Sequence, residues 1–199
     1  MTTLNPTRTL LPLLTLVLAL PALAQATAPV ERPTNRLEAL AKRSGKIIVR
    51  EELDTRPLLG FSGTKLALTP IYAYDPLNPK DSYKGIRAEV VAGSKDYERS
   101  TALVAREEID QVVAGLDYLI GLGAHWADEA GPYREAELVT QDELKIGLYH
   151  TADGNQAAFV RHGNDIAFFS LEDLTTLKAL FEDFARMLDE HQPTALARP

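Results

Sequence analysis

A short apolar strand that leads directly into an amphipathic helix occurs twice in this chain, and such a repetition constrains the fold more than any single residue does. The first copy covers residues 100–122, and the second covers residues 165–187, sixty-five positions later. Equivalent positions carry apolar residues in both copies, as Leu116 and Phe181 do. The repetition predicts two units of the same construction, each ending in a helix.

Both copies place apolar residues at intervals of three and four, which is the spacing of one face of an α-helix. The first stripe contains Ile109, Val112, Val113, Leu116, Leu119 and Ile120. The second stripe contains Leu174, Leu177, Phe181, Phe184 and Leu188. We expect both stripes to face a common core, and we expect Phe181 to be buried where its helix meets a sheet.

The two helices differ at their first turns. Ser170 can accept a hydrogen bond from a free amide of the first turn while Asp173 reaches back, which is a capping box. Ala105, the equivalent of Ser170, has no side-chain acceptor. The sequence therefore predicts a well-capped second helix and a first helix that frays more.

The first residues have the pattern of an export signal. Arg8 precedes an apolar run over residues 10–20, and Ala22 and Ala24 provide small residues at a cleavage site. The run is shorter than the about 20 residues that a membrane-spanning helix needs. We expect cleavage after Ala24, a flexible spacer over residues 25–34, and a periplasmic or secreted protein without a membrane anchor.

The net charge narrows the classes of possible partner. The formal net charge is −7, and it becomes −8 if the segment containing Arg8 is removed. An acidic surface repels nucleic-acid backbones and anionic lipid headgroups, which argues against general binding to either.

The chain has no cysteine, so an exported form must rely on a packed core and not on disulfides.

Predicted strands fill most of the remaining chain in two sets of four. The first set covers residues 46–51, 65–74, 83–92 and 100–105, and the second covers residues 134–140, 143–151, 156–162 and 165–169. Neither set has helices between its strands that could serve as crossovers, so the strands should pair antiparallel.

These elements predict an α+β fold made of two pseudo-repeats, each with four antiparallel strands followed by one helix that packs on the sheets. The two units span about 46–123 and 133–188, within a single domain over residues 35–190 that begins with a short helix. Residues 191–199 are expected to be a disordered tail.

Turn residues predict the register of the second unit. Asp153-Gly154 and Gly163-Asn164 both suit two-residue hairpin turns, because these residue types tolerate positive φ. With two such turns, Leu148 would face Phe159, which would face Phe168, all on one side of the sheet.

Three tyrosines are the candidate partner-binding residues. Tyr72, Tyr74 and Tyr83 flank a proline-containing loop over residues 75–82, where they could converge into a rigid contact surface. This interpretation requires that at least two of the rings are exposed. The alternative is that the tyrosines are ordinary strand residues with high β-propensity.

No pattern in the sequence predicts a catalytic, metal or cofactor site. His150 and His162 are predicted to lie at opposite ends and on opposite faces of one hairpin, so they would not share a metal ion. No GxSxG or comparable signature positions a nucleophile. We therefore expect neither a metal nor a cofactor.

The order of elements resembles the Whirly-like fold of single-stranded-DNA-binding transcriptional regulators over about residues 46–188. The segment over residues 63–68, GTKLAL, partly matches a lysine-glycine-lysine-alanine motif of the plant members, with Ser62 in place of the first lysine. The resemblance implies two packed antiparallel sheets, each followed by a helix. The acidic charge and the export signal separate this chain from the DNA-binding function.

The functional expectation is a non-catalytic exported domain that binds a protein, a peptide or an envelope component through a sheet face or the tyrosine-flanked loop. One alternative is an exported hydrolase with an unrecognised site. The other, by analogy of fold, is single-stranded nucleic-acid binding.

Overall fold

The computed structural model describes residues 36–41, 45–93, 99–127 and 131–192. Their helices and strands, in chain order, are α1 (Arg36–Ala41), β1 (Val49–Glu52), β2 (Arg56–Leu59), β3 (Lys65–Asp75), β4 (Asn78–Val91), β5 (Arg99–Ala105), α2 (Arg106–Ala127), β6 (Arg134–Val139), β7 (Lys145–His150), β8 (Gln156–His162), β9 (Asp165–Phe169) and α3 (Leu171–Glu190). The predicted signal peptide and spacer lie outside the described residues.

The strands form two antiparallel sheets, and a helix follows each sheet. The first sheet has the order β1-β3-β4-β5, and the second has the order β6-β7-β8-β9. This confirms the α+β class and the predicted succession of sheet and helix. The first sheet nevertheless has five strands, because residues 56–59 form β2, which pairs with residues 65–68 of β3 beyond the end of β1.

The predicted helical stripes form the main core together with the inner faces of both sheets. Ile109, Leu116, Phe181 and Phe184 are fully buried, whereas Val113 lies at the edge of the core and is partly buried. The prediction that Phe181 is buried where its helix meets a sheet is confirmed.

The start of each helix is satisfied in a different way. Ser170 and Asp173 form the predicted capping box at the start of α3. At the start of α2, Ala105 has no side-chain acceptor, but the buried carboxylate of Glu108 accepts the Ala105 N–H at 3.3 Å and the Gln141 N–H at 2.8 Å. The expectation of a fraying first helix overlooked this carboxylate, which caps the helix and also holds the β6–β7 turn.

The β7–β8 turn differs from the prediction by one residue. Thr151 N–H donates to the Asn155 carbonyl, which leaves a three-residue loop with Gly154 at a φ of +86°. Leu148 consequently pairs with Ala158, and Phe159 pairs with Gly147. The predicted pairing of Leu148 with Phe159 is wrong, and the shift of one position places these two side chains on opposite faces of the sheet.

The β8–β9 turn matches the prediction. His162 pairs with Asp165 across the two-residue turn Gly163-Asn164, and Phe159 pairs with Phe168. These two aromatic residues therefore share one face of the sheet, as expected.

The chain after α3 begins with an ordered residue. Nε2 of His191 lies 2.5 Å from a carboxylate oxygen of Glu51, and the His191 ring contacts the Tyr72 ring. His191 is the first residue of the predicted tail, and residues 193–199 of that tail lie outside the described part of the chain. In that described part, no helix is long and apolar enough to cross a membrane.

Candidate aromatic binding face

The outer face of the second sheet, which points away from the main core, carries a shallow cavity of about 290 Å³. We call this surface the aromatic face. It is lined by Tyr133, Glu135, Tyr149, Phe159, Arg161, Ile166 and Phe168. Four of the seven lining residues are aromatic, so the cavity offers mainly flat apolar surface with a few polar groups.

Strand alternation explains why these side chains lie together. Successive residues of a strand point to opposite faces, so the buried Leu148 and Val160 face the core while their neighbours Tyr149, Phe159 and Arg161 face outward. Cross-strand pairing then brings Phe168 of β9 beside Phe159 of β8.

Gly147 shapes the floor of the cavity. A Cβ atom at this position would lie 2.5 Å from the Phe159 ring and 2.5 Å from the Ala136 carbonyl oxygen, so the close approach of these groups requires glycine. The Phe159 ring occupies the space above Gly147, and Phe159 is only 2% exposed although it points outward. Phe159 is therefore a rigid base for the more exposed rings.

The upper rings meet at two different angles. The centroids of Tyr133 and Tyr149 are 6.4 Å apart with ring planes inclined by 20°, and those of Tyr149 and Phe168 are 6.3 Å apart with planes at 89°. Both arrangements are favourable for aromatic pairs. Tyr133 is 58% exposed, so its ring is accessible in the free protein.

Charged groups at this face are paired with one another. Glu137 accepts hydrogen bonds from Lys145 at 2.8 Å and from Arg161 at 2.9 Å, and the Arg161 guanidinium lies 5.6 Å from the centre of the Phe159 ring. The hydrogen bond from Lys145 is the main reason that the pKa of Glu137 is lowered. The Tyr133 hydroxyl donates to Glu135 at 2.5 Å, and this bond raises the pKa of Tyr133.

The tyrosines predicted to form a contact surface are buried. Tyr72, Tyr74 and Tyr83 are 4%, 2% and 3% exposed. The β3–β4 strand pairing continues to Asp75 and Asn78, so the loop is much shorter than predicted and the tyrosines lie within the sheet. The expectation that at least two rings are exposed is wrong.

These tyrosines also do not converge. Tyr83 pairs with Ala73, which places its side chain on the opposite face from Tyr72 and Tyr74. Ala73 and Tyr83 pack against Leu37 and Leu40 of α1 in a second apolar cluster.

Tyr72 and Tyr74 lie at the end of α3. Their rings stack with centroids 5.2 Å apart, and the Lys84 ammonium lies 5.5 Å from the centre of the Tyr72 ring. Lys84 also donates to the Leu188 carbonyl in the last turn of α3 and to the carbonyl of His191, the residue that follows the helix. The structure therefore gives this pair of tyrosines a packing role.

The two histidines of the second sheet are placed differently from the prediction. His150 pairs with Gln156 instead of Ala157, so His150 and His162 share one face of the sheet, although they remain at opposite ends of the hairpin. Among the described residues, no group of three or more histidine, aspartate and glutamate side chains is arranged to hold a metal ion.

The sequence contains a signal that would have located the aromatic face. The segments 140–144 (TQDEL) and 151–155 (TADGN) share a threonine followed two positions later by an aspartate, and each forms a three-residue hairpin loop. In both loops the threonine hydroxyl accepts the N–H four residues later. Recognition of this repeated turn gives the correct register and therefore the correct set of outward-facing residues.

No family model matches this chain, and no curated protein matches it significantly.

Proposed function

We propose that this protein is an exported, non-catalytic binding domain that takes a protein, a peptide or another envelope component on the aromatic face of its second sheet. The observation that carries the proposal is the combination of an accessible Tyr133 ring with a cavity whose base is held rigid by Phe159 and Gly147. Rigid aromatic side chains of this kind provide large contact areas at a low cost in conformational entropy.

The polar groups of the face favour binding over acid–base chemistry. Glu137 has a lowered pKa, so it is ionised at neutral pH and is a poor general acid. Its two oxygens already accept hydrogen bonds from Lys145 and Arg161. These charges are suited to holding the shape of the face and to orienting a partner.

Site-specific photocrosslinking tests this proposal. A photoreactive phenylalanine analogue is introduced at Tyr133, and in a matched control at Tyr118, a tyrosine on α2 that is 70% exposed and lies outside the cavity lining. After irradiation of cells that export the protein, we expect discrete crosslinked products from position 133 and not from position 118. The absence of crosslinks at 133, or equal crosslinking at both positions, would contradict the proposed binding face.

The export component of the proposal has its own test. Cleavage after Ala24 predicts that the mature protein from the envelope or the medium begins at Gln25. Intact-mass spectrometry of that fraction measures this directly. A soluble cytoplasmic product that retains Met1 would contradict export, without bearing on the aromatic face.

A further inference from the structure

The edges of the two sheets differ in whether other parts of the protein cover the outward backbone N–H and carbonyl groups of the edge strand. At the β5 edge of the first sheet, the Leu103 N–H donates to the carboxylate of Asp142 at 2.8 Å, and the Ser100 hydroxyl donates to the His162 carbonyl at 2.8 Å. Side chains and chain segments from the second unit therefore cover this edge.

The β9 edge of the second sheet is closed by a turn from the first unit. The Thr64 hydroxyl accepts the Phe168 N–H at 3.3 Å and donates to the Phe61 carbonyl at 2.8 Å, and the Phe168 carbonyl oxygen lies 3.4 Å from it. Gly60 packs so closely that a Cβ atom there would lie 2.3 Å from the Phe168 oxygen. No further strand can approach at this position.

The remaining edge of the first sheet is interrupted. It consists of β1 and β2, which are four residues each and pair with separate parts of β3. Such short edge segments are poor templates for another strand.

The β6 edge is different, because in the described part of the chain β6 pairs with β7 alone. Thr140 N–H donates to the Leu144 carbonyl at the end of this pair. Since hydrogen-bonded and non-hydrogen-bonded pairs alternate in an antiparallel ladder, Leu138 bonds to β7, whereas the N–H groups of Glu135, Glu137 and Val139 point to the free edge.

The side chains along this edge select its partner. On the outer face, two exposed apolar residues, Tyr133 and Val139, flank two exposed carboxylates, Glu135 and Glu137. A second copy of β6 would bring like charges together in either strand direction, which is destabilising. A segment with basic side chains would instead meet the carboxylate of Glu135, and beside it that of Glu137, which is shared with Lys145 and Arg161. The net charge of the protein is −7, which also favours a basic partner.

We propose that the β6 edge binds an extended peptide segment as an additional strand, with two basic side chains, two residues apart, opposite Glu135 and Glu137 and with apolar side chains on either side. This inference rests on the proposed function, since it identifies the partner class of the aromatic face. Main-chain hydrogen bonds would supply affinity, and the alternate side chains would supply specificity. The six residues of β6 give a template roughly 20 Å long.

A palindromic heptapeptide with blocked ends, Val-Thr-Lys-Thr-Lys-Thr-Val, tests the inference in either strand direction. The matched control replaces both lysines with glutamate. We expect the lysine peptide to bind the full-length mature protein, as measured by fluorescence anisotropy, at least ten times more tightly than the glutamate peptide. The substitution Glu135→Lys should reverse this preference.

A second variant separates the backbone edge from the charges. Val139→Pro removes one outward N–H and leaves both carboxylates and the bonds to β7 in place, because proline is tolerated where the N–H of an edge strand faces solvent. We expect at least a tenfold loss of lysine-peptide binding, with an unchanged denaturation midpoint showing that the variant is folded. Full binding by folded Val139→Pro, or equal binding of the two peptides, would overturn the inference.

Crosslinking distinguishes a failure of this strand-addition inference from a failure of the proposed binding function. Crosslinking at Tyr133 that persists in the Val139→Pro variant would leave the aromatic face as a binding site and would overturn strand addition at β6. Identification of the crosslinked product as a glycan or a nucleic acid would overturn the peptide assignment in the same way.

Discussion

The two halves of the molecule share the order of sheet followed by helix, but they use their outer surfaces in opposite ways. In the first unit, α1 packs on the outer face around Ala73 and Tyr83, and the β5 edge is bonded by Asp142. In the second unit, the outer face bears a cavity lined by the exposed Tyr133, and among the described strands β6 pairs on one side only. The first sheet therefore buries Tyr72, Tyr74 and Tyr83, whereas the second presents aromatic rings to solvent.

Aromatic residues in strands therefore cannot be assigned to a contact surface from their position beside a loop alone. Tyr72 and Tyr74 lie near the end of a hairpin and are buried, and the Tyr72 ring contacts His191, the residue that follows α3. Tyr133 is 58% exposed, and Tyr149 is only partly buried. What decides the role of each ring is which element packs over its face of the sheet.

The largest expected effect concerns the core that the two units share. Phe181→Ala deletes a fully buried aromatic ring and should lower the free energy of unfolding by about 3 to 5 kcal/mol, the range for such truncations. The equivalent Leu116→Ala in the first unit should cost about 2 to 5 kcal/mol. Chemical denaturation measures both, and an unchanged midpoint for either variant would show that the two helical stripes do not form one core.

A smaller effect should distinguish the two helix starts. Glu108→Ala removes the charged acceptor of two part-buried hydrogen bonds, from the N–H groups of Ala105 and Gln141, which should cost about 1 to 3 kcal/mol. Ser170→Ala removes one side of a capping box and should cost about 1 kcal/mol. A larger loss of stability for Ser170→Ala than for Glu108→Ala would contradict this difference between the two helix starts.

The smallest effect is a pH dependence confined to the aromatic face. The pKa of Glu137 is lowered from its ordinary value of 4.5, mainly by the hydrogen bond from Lys145. The folded state therefore binds this proton less readily than the unfolded state, so the stabilisation is complete above the ordinary pKa and is lost as the pH falls through the lowered one. We expect Glu137→Gln and Lys145→Met to flatten the decline in stability below about pH 4.5. An acid limb with unchanged slope in both variants would contradict this.

Local periodicity was sufficient for the helices and the fold class. The apolar spacing in α2 and α3 and the Ser170 capping pair are all visible in a short window of sequence, and they lie as predicted. The carboxylate of Glu108 was missed because its second partner, Gln141, is 33 residues away in the chain.

The candidate site could not be obtained in the same way, because it depends on register. Asp153-Gly154 suits a two-residue turn, but the Thr151 hydroxyl closes a three-residue loop instead. This single residue exchanges the faces of β7 relative to β8, and with them the positions of Leu148 and Phe159. An error of one position in a turn therefore hides the whole aromatic face, while an error of one position in a helix boundary changes little.

Amide hydrogen exchange measured by NMR tests the contrast between open and closed edges most directly. We expect the amides of Glu135 and Glu137 to exchange rapidly in the free protein, while those of Leu103 and Phe168, which donate to Asp142 and Thr64, are protected. Addition of the lysine heptapeptide should then slow exchange at Glu135 and Glu137. Amides of Glu135 and Glu137 that are as protected as Leu103 in the free protein, or that remain unchanged with saturating peptide, would contradict an open binding edge on the second unit.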